Sequence, residues 1–214
     1  MITLWGRATS ANVQIAAWAL AELGLDFERR DVGGKFGGTS TPEYGTLNPN
    51  RLVPTLQDGD LTMWESAAIL RYLGARYGAE SFWPADPAKR AALDKWAEWS
   101  KTSFQPTFLA GVFLPLFATP QAKRDMAAVA NSVARLKSLT GIINSRLSDG
   151  PYLSGESICF ADVIIGVPLY RYFTLAGFER AEAPNLEAYY QRLTERPAYV
   201  KHVMVSYESL RAVG

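Results

Sequence analysis

Asn48-Pro49-Asn50-Arg51-Leu52-Val53-Pro54-Thr55-Leu56-Gln57-Asp58-Gly59-Asp60-Leu61-Thr62-Met63-Trp64-Glu65-Ser66-Ala67-Ala68-Ile69 is the stretch that decides the fold. Two short β-prone runs, Val53–Gln57 and Leu61–Met63, flank Asp58-Gly59-Asp60, the pattern of a tight hairpin. Pro54 stands at the start of the first run, and a strand tolerates proline only at an edge or a turn. A cis Val53–Pro54 bond would direct the Val53 N–H and C=O outward, where an extended peptide can pair as an added strand. An ordinary trans-proline strand start is the alternative. Beyond the hairpin, Ile69, Leu70, Tyr72 and Leu73 recur at helical spacing between Ser66 and Tyr77. Ser66 and the first helix N–H groups suit a carboxylate. Glu65 beside them suits an ammonium, so the pair fits the two charged ends of an amino acid. A plain helix cap is the competing reading.

Upstream, Ile2-Thr3-Leu4-Trp5 is a strand that stops at Gly6. Val13, Ala16, Ala17, Leu20 and Leu23 mark a helix over 12–24 that stops at Gly24. Phe27–Val32 is a second strand. The glycine cluster Gly33 to Gly38 lacks the Lys-Ser/Thr pair of a phosphate loop and reads as a mobile loop. The order is βαβ, a loop or short helix, then ββα: a small α/β layer with a mixed sheet. Thr9-Ser10-Ala11-Asn12 falls between the first strand and first helix, where its polar groups either cap the helix or donate to an anion at its N-terminus.

Downstream, the two prolines of Ser81-Phe82-Trp83-Pro84-Ala85-Asp86-Pro87 mark a linker. Helical segments follow at 87–118, 121–147, 160–176, 184–195 and 197–211. Pro106 and Pro115 should kink or split the first. Leu136, Leu139, Ile143 and Leu147 mark the buried face of the second. The chain therefore divides into an α/β domain over 1–79 and an all-helical domain over 87–214. Cys159 before Phe160-Ala161-Asp162 reads as a buried structural cysteine at a helix start, and His202 as a surface or packing residue.

Composition removes several classes of function. With 22 Lys+Arg against 21 Asp+Glu the net charge is +1, which lacks the broad basic footprint of a nucleic-acid binder. One Cys and one His exclude an internal disulfide and argue against structural zinc or any other metal centre. No apolar run is long enough for a membrane helix, and the N-terminus lacks a signal-peptide profile, so a cytoplasmic protein is expected.

The ordered set of these features resembles the cytosolic glutathione transferases, in a bacterial form, over essentially the whole chain. The carriers are Ser10 and Asn12, Asn48-Pro49 with Val53-Pro54, Glu65-Ser66-Ala67-Ala68-Ile69, Ala161-Asp162 and Arg196-Pro197-Ala198-Tyr199. The resemblance implies a thioredoxin-like α/β N-terminal domain and an all-α C-terminal bundle, with glutathione as co-substrate. It places the γ-glutamyl end on Glu65 and Ser66, the cysteinyl backbone on Val53 beside a cis Pro54, and the thiol at the start of the first helix. The family holds that sulfur with Tyr, Ser or Cys. No Tyr precedes Tyr44 here and the only Cys is Cys159, so Ser10 ranks first as donor, Asn12 second and Thr9 third. A hydrogen bond to the thiolate, worth ~1.5–3 kcal/mol, would lower its pKa by roughly 1–2 units.

Two departures carry their own expectations. Arg51 stands where relatives with this loop often have Gly, and it would reach the glycyl carboxylate of glutathione or lie in solvent. Cys159 stands where a Ser or Thr cap is common, so that helix start should be less well held. The implied function is attack of the glutathione thiolate on a small hydrophobic electrophile. The acceptor pocket is expected between the domains, lined partly by Trp96, Trp99, Ser103, Phe104 and Phe108. Another glutathione-dependent enzyme (a disulfide reductase, dehalogenase or isomerase) and a non-catalytic glutathione-binding scaffold are the alternatives. The family also implies a homodimer, with apolar groups in the loop after the hairpin helix serving the contact.

Overall fold

Four short strands, Ile2–Trp5 (β1), Phe27–Arg30 (β2), Thr55–Asp58 (β3) and Leu61–Trp64 (β4), make one mixed sheet in the order β2-β1-β3-β4. They are seen in a computed structural model that describes residues 1–212; the last two residues of the expected helical domain lie outside the described residues. β1 runs parallel to β2, with Ile2 opposite Phe27, and antiparallel to β3, with Leu4 opposite Leu56. β3 and β4 form the expected hairpin, Asp58 facing Leu61 across the turn.

Three helices belong to this layer: Ala11–Glu22 (α1), Pro42–Leu47 (α2) and Ser66–Tyr77 (α3). α1 departs from the expected one-sided pattern, because every residue from Val13 to Leu20 is buried. The sheet and α3 cover one side of it, and helices of the C-terminal part cover the other. An all-round buried helix has no polar face to show in its sequence.

The C-terminal part is helical: Pro87–Trp99 (α4), Gln105–Phe108 (α5), Met126–Arg146 (α6), Phe160–Thr174 (α7), Pro184–Thr194 (α8) and Pro197–His202 (α9). Pro106 and Pro115 do not split the first expected segment. Helix continues from Pro87 to Ala118, widened to π geometry over Ser100–Phe104 and Leu109–Ala118. Wider turns accommodate the missing proline N–H groups without a break. The second segment starts later than expected, at Met126, where Asp125 accepts the Ala128 N–H and caps the helix. The last ends at His202 rather than 211, followed among the described residues by a 3-10 turn over Glu208–Leu210.

One continuous apolar core joins the two parts. Trp18 of α1 is fully buried, packs edge-on against Tyr199 at 4.8 Å, and lies over Gly166 of α7. A Cβ at residue 166 would sit 2.8 Å from the Trp18 ring, so α1 and α7 approach this closely only because glycine is there. At the outer edge of this contact Arg196 pairs with Glu22. Two expectations fail in this core. Phe104 and Phe108 are 1% and 0% exposed and pack around Tyr172, so they cannot line an acceptor pocket. The loop after α3 offers no apolar contact surface, since Phe82 is buried and Trp83 packs on Phe160 at 4.7 Å.

The start of α7 is also firmer than its cysteine suggested. Asp162, fully buried, accepts the N–H of Cys159 at 2.8 Å, the N–H of Leu153 at 3.0 Å and the Tyr189 hydroxyl at 2.9 Å. The Asp162 carboxylate and the Cys159 side chain form a capping box across this helix end, with Asp162 as its main anchor. Cys159 itself is buried, and burial pushes its thiol well up from the ordinary range, so it is not a reactive nucleophile.

Candidate active site

The loop before β3 is latched by a buried polar network. Thr41 caps α2 by accepting the Tyr44 N–H, and Tyr44 is thereby turned inward. Its hydroxyl donates to the Leu52 carbonyl at 2.7 Å and lies 3.0 Å from Thr55 Oγ1. Asn48 Nδ2 reaches the same two atoms, at 2.9 and 3.2 Å, while its Oδ1 accepts the Asn50 N–H. These bonds hold residues 48–54 in one path without sheet pairing. The Val53–Pro54 bond is cis. Pairing of β3 begins at Thr55, which leaves the Val53 N–H and C=O outside the ladder.

Across the hairpin, Glu65 and Ser66 occupy the junction of β4 and α3. Glu65 has φ +70, a region that non-glycine residues enter at a cost of about 1–3 kcal/mol. Its side chain makes no cap bond, and its carbonyl accepts the Ile69 N–H, starting the helix. Ser66 is 2% exposed. The first-turn N–H groups have no intrahelical acceptor, as at any helix start, and the positive end of the helix dipole opens here.

The structure brings Asn12 to this same point and adds a residue that sequence reasoning missed. Lys101, in the π-helical stretch after α4, extends its ammonium to Asn12 Oδ1 at 2.8 Å and to Ser66 Oγ at 3.3 Å. Ser66 Oγ also lies 3.3 Å from Asn12 Oδ1. Burial lowers the Lys101 pKa, an effect opposed by the nearby charges of Glu65 and Glu98. The one available signal was a lone cation between Trp99 and Phe104. Sequence alone does not say that π-helical turns aim it at a helix start 35 residues away.

Ser10 is the N-cap residue of α1, yet its hydroxyl makes no cap bond. Its carbonyl accepts the Gln14 N–H at 2.9 Å, while its hydroxyl remains available at the opening of the helix. The Asn12 oxygen faces Lys101 and Ser66, so its amide N–H groups are what it can offer elsewhere. Thr9 is tied through its carbonyl, which accepts from Arg171 Nη2 at 2.6 Å.

Arg51 is exposed, and its head group is anchored to the protein rather than free in solvent. It has φ +55, which explains why glycine suits this position, and its guanidinium donates to the carbonyls of Thr39 and Thr41, at 3.2 and 2.8 Å. Trp96 lines a different cavity of about 990 Å3, together with Pro84, Lys89 and Arg146, that contains none of the candidate residues above. Near Ser10, a cavity of about 220 Å3 lies between the β1–α1 loop, the glycine loop and the C-terminal 3-10 turn. Among the described residues, no helix is long and apolar enough to cross a membrane.

Residues 1–75 match the family model described as "Glutathione S-transferase, N-terminal domain", and residues 104–197 that described as "Glutathione S-transferase, C-terminal domain". The chain is 38% identical over 207 residues to glutathione S-transferase GstB of Escherichia coli (strain K12), covering 96% of this chain and 99% of that one. Glutathione S-transferase F14 of Arabidopsis thaliana is 32% identical over 212 residues, covering 94% and 80%. Among solved structures, the theta class glutathione S-transferase from Xanthomonas axonopodis pv. citri with glutathione bound is similar at a TM-score of 0.90 and 43% identity, covering 96% and 98%.

Proposed function

The chain belongs to the glutathione S-transferase family, and from that membership we propose how its residues bind glutathione and ionise its thiol for attack on a small hydrophobic electrophile. The observation that carries the reading is the open start of α3: a buried Ser66, a strained Glu65 and a cation, Lys101, converge on unpaired helix N–H groups. In this reading the γ-glutamyl carboxylate lies on the Ser66 hydroxyl, the α3 N–H groups and the Lys101 ammonium. The Glu65 carboxylate takes the γ-glutamyl ammonium. The Val53 N–H and C=O pair with the cysteinyl backbone beside Pro54. Arg51 acts indirectly, by fixing the α2 loop through the Thr39 and Thr41 carbonyls.

That pose directs the thiol to the start of α1. Ser10 stabilises the thiolate, because its hydroxyl is free of capping at the opening of α1, with the Asn12 amide N–H groups as the competing donors. The α1 N-terminus adds about 0.3–1 kcal/mol to the same charge. The α/β domain over 1–79 supplies glutathione binding and the helical domain over 87–214 supplies the acceptor side. A cytoplasmic location accords with the thiol chemistry of this reading, in which reduced glutathione is the substrate.

Ser10→Ala is expected to raise the pKa of enzyme-bound glutathione by about 1–2 units, read by titrating the thiolate absorbance of the binary complex. A shift in Asn12→Ala with none in Ser10→Ala would move the donor role to Asn12. A homodimer completes the reading, and the exposed Leu61 and Trp64 on the edge strand β4 offer apolar surface for it. Light scattering should give about twice the 23.6 kDa chain mass, and a monomer at micromolar concentration would remove the dimer.

A further inference from the structure

We propose that the electrophile accepted by this site carries a carboxylate, held by Arg7 and Lys35 in the cavity beside the α1 N-terminus. The inference rests on the glutathione reading above and narrows its second substrate.

The cavity of about 220 Å3 is lined by Arg7, Arg29 and Lys35 against one acid, Asp31. Asp31 is already paired with Arg29, whose guanidinium also donates to the Gly6 carbonyl at 2.8 Å. Arg7 and Lys35 have no carboxylate partner among the described residues, and Arg7 Nε is buried without any hydrogen-bond partner. Arg7 is also held in place. The glycine loop closes over it so tightly that a Cβ on Gly34 would lie 3.0 Å from Arg7 Cδ.

A third guanidinium stands behind the first. Arg171, 5% exposed, donates to the Thr9 carbonyl and lies over the Phe113 ring at 4.9 Å, again with no acid beside it. Burial, with a contribution from the neighbouring Arg7 charge, lowers its pKa to about 10, so it remains a cation at neutral pH. Buried charges are ordinarily paired, because an uncompensated one is costly to desolvate. Two guanidinium groups gathered without a carboxylate therefore leave a place for an anion from outside. The wall also has apolar members, Phe36 and Leu210, for the remainder of a small substrate. Arg7, Ala8 and Thr9 line the cavity and directly precede Ser10 in the β1–α1 loop, so in this proposal a group attached to the thiol extends towards it.

A carboxylate could reach these cations from the electrophile or from the glycyl end of glutathione, and S-substituted glutathiones separate the two sources. Calorimetry should compare S-carboxymethyl and S-carboxybenzyl glutathione with their neutral carbamoyl isosteres. In at least one pair the carboxylate should bind about tenfold more tightly. Arg7→Met should reduce that ratio to about one while leaving the affinity for glutathione itself unchanged, and Lys35→Met should reduce it in part. Equal affinities within both pairs for the unaltered protein would overturn the inference. So would an Arg7→Met protein that loses affinity equally for glutathione and for all four conjugates, since the cations would then serve the glycyl carboxylate. Glutathione itself failing to bind the unaltered protein would overturn the proposed function, and this inference with it.

Discussion

α3 and α7 both begin beside an acidic side chain, yet one start is sealed and the other is left open. At α7, Asp162 is wholly buried and takes up two N–H groups and a tyrosine hydroxyl. Burial pushes its carboxyl pKa up even against those donors, so the group belongs to the protein interior and to stability. At α3, Glu65 is exposed, strained at φ +70 and makes no cap bond, while Ser66 is buried and its hydroxyl, among the described residues, bonds Asn12 and Lys101. A helix end that serves the fold has its acceptors supplied from within. In the proposed reading the α3 start serves a ligand, and it is left unsatisfied and positioned at some cost in backbone strain.

Removing the acid at each start should therefore have opposite consequences. Asp162→Ala strands three buried donors, each worth about 1–3 kcal/mol, and should cost about 3 kcal/mol or more of folding stability in urea titrations. The folded fraction should keep its glutathione affinity. A variant with unchanged stability would break the comparison at its structural end. Glu65→Ala should do the reverse, weakening glutathione binding roughly 10- to 150-fold by calorimetry while stability stays within about 0.5 kcal/mol. A large loss of stability with intact binding would show that Glu65 is a fold residue after all.

Lys101→Met sharpens the contrast with a smaller effect. Losing one of several partners of the ligand carboxylate should weaken glutathione about 3- to 10-fold. The direction for stability is opposite. Burial lowers the Lys101 pKa, so the charged form is disfavoured in the folded state, and an apolar replacement should leave stability equal or higher. A destabilised protein with normal affinity would assign Lys101 to the fold.

How much of this was legible beforehand depends on the range of the forces involved. The Asp-Gly hairpin, the strand-helix-strand start and Glu65-Ser66 at a helix start follow from local backbone preferences, and each is found where the residues place it. The cis Val53–Pro54 bond and the free Ser10 hydroxyl agree with the family resemblance, which supplied what spacing alone left open. Errors came where a local rule met a longer-range one. Prolines that break an isolated α-helix are absorbed by π turns when neighbouring helices hold the segment. The aromatic residues at 104 and 108 face the core because Tyr172 packs there.

Sequence by itself determined the order of elements and the chemistry of each loop, because turns, caps and hydrophobic periods are set within a few residues. Tertiary structure alone decided which charges meet. Arg171 reaches Thr9 across 162 residues of chain because α1 and α7 close to contact over Gly166, and Lys101, after α4, reaches Asn12 and Ser66. Cations far apart in sequence gather around one helix end because the packing of apolar faces, which is indifferent to where the charges lie along the chain, dictates the approach.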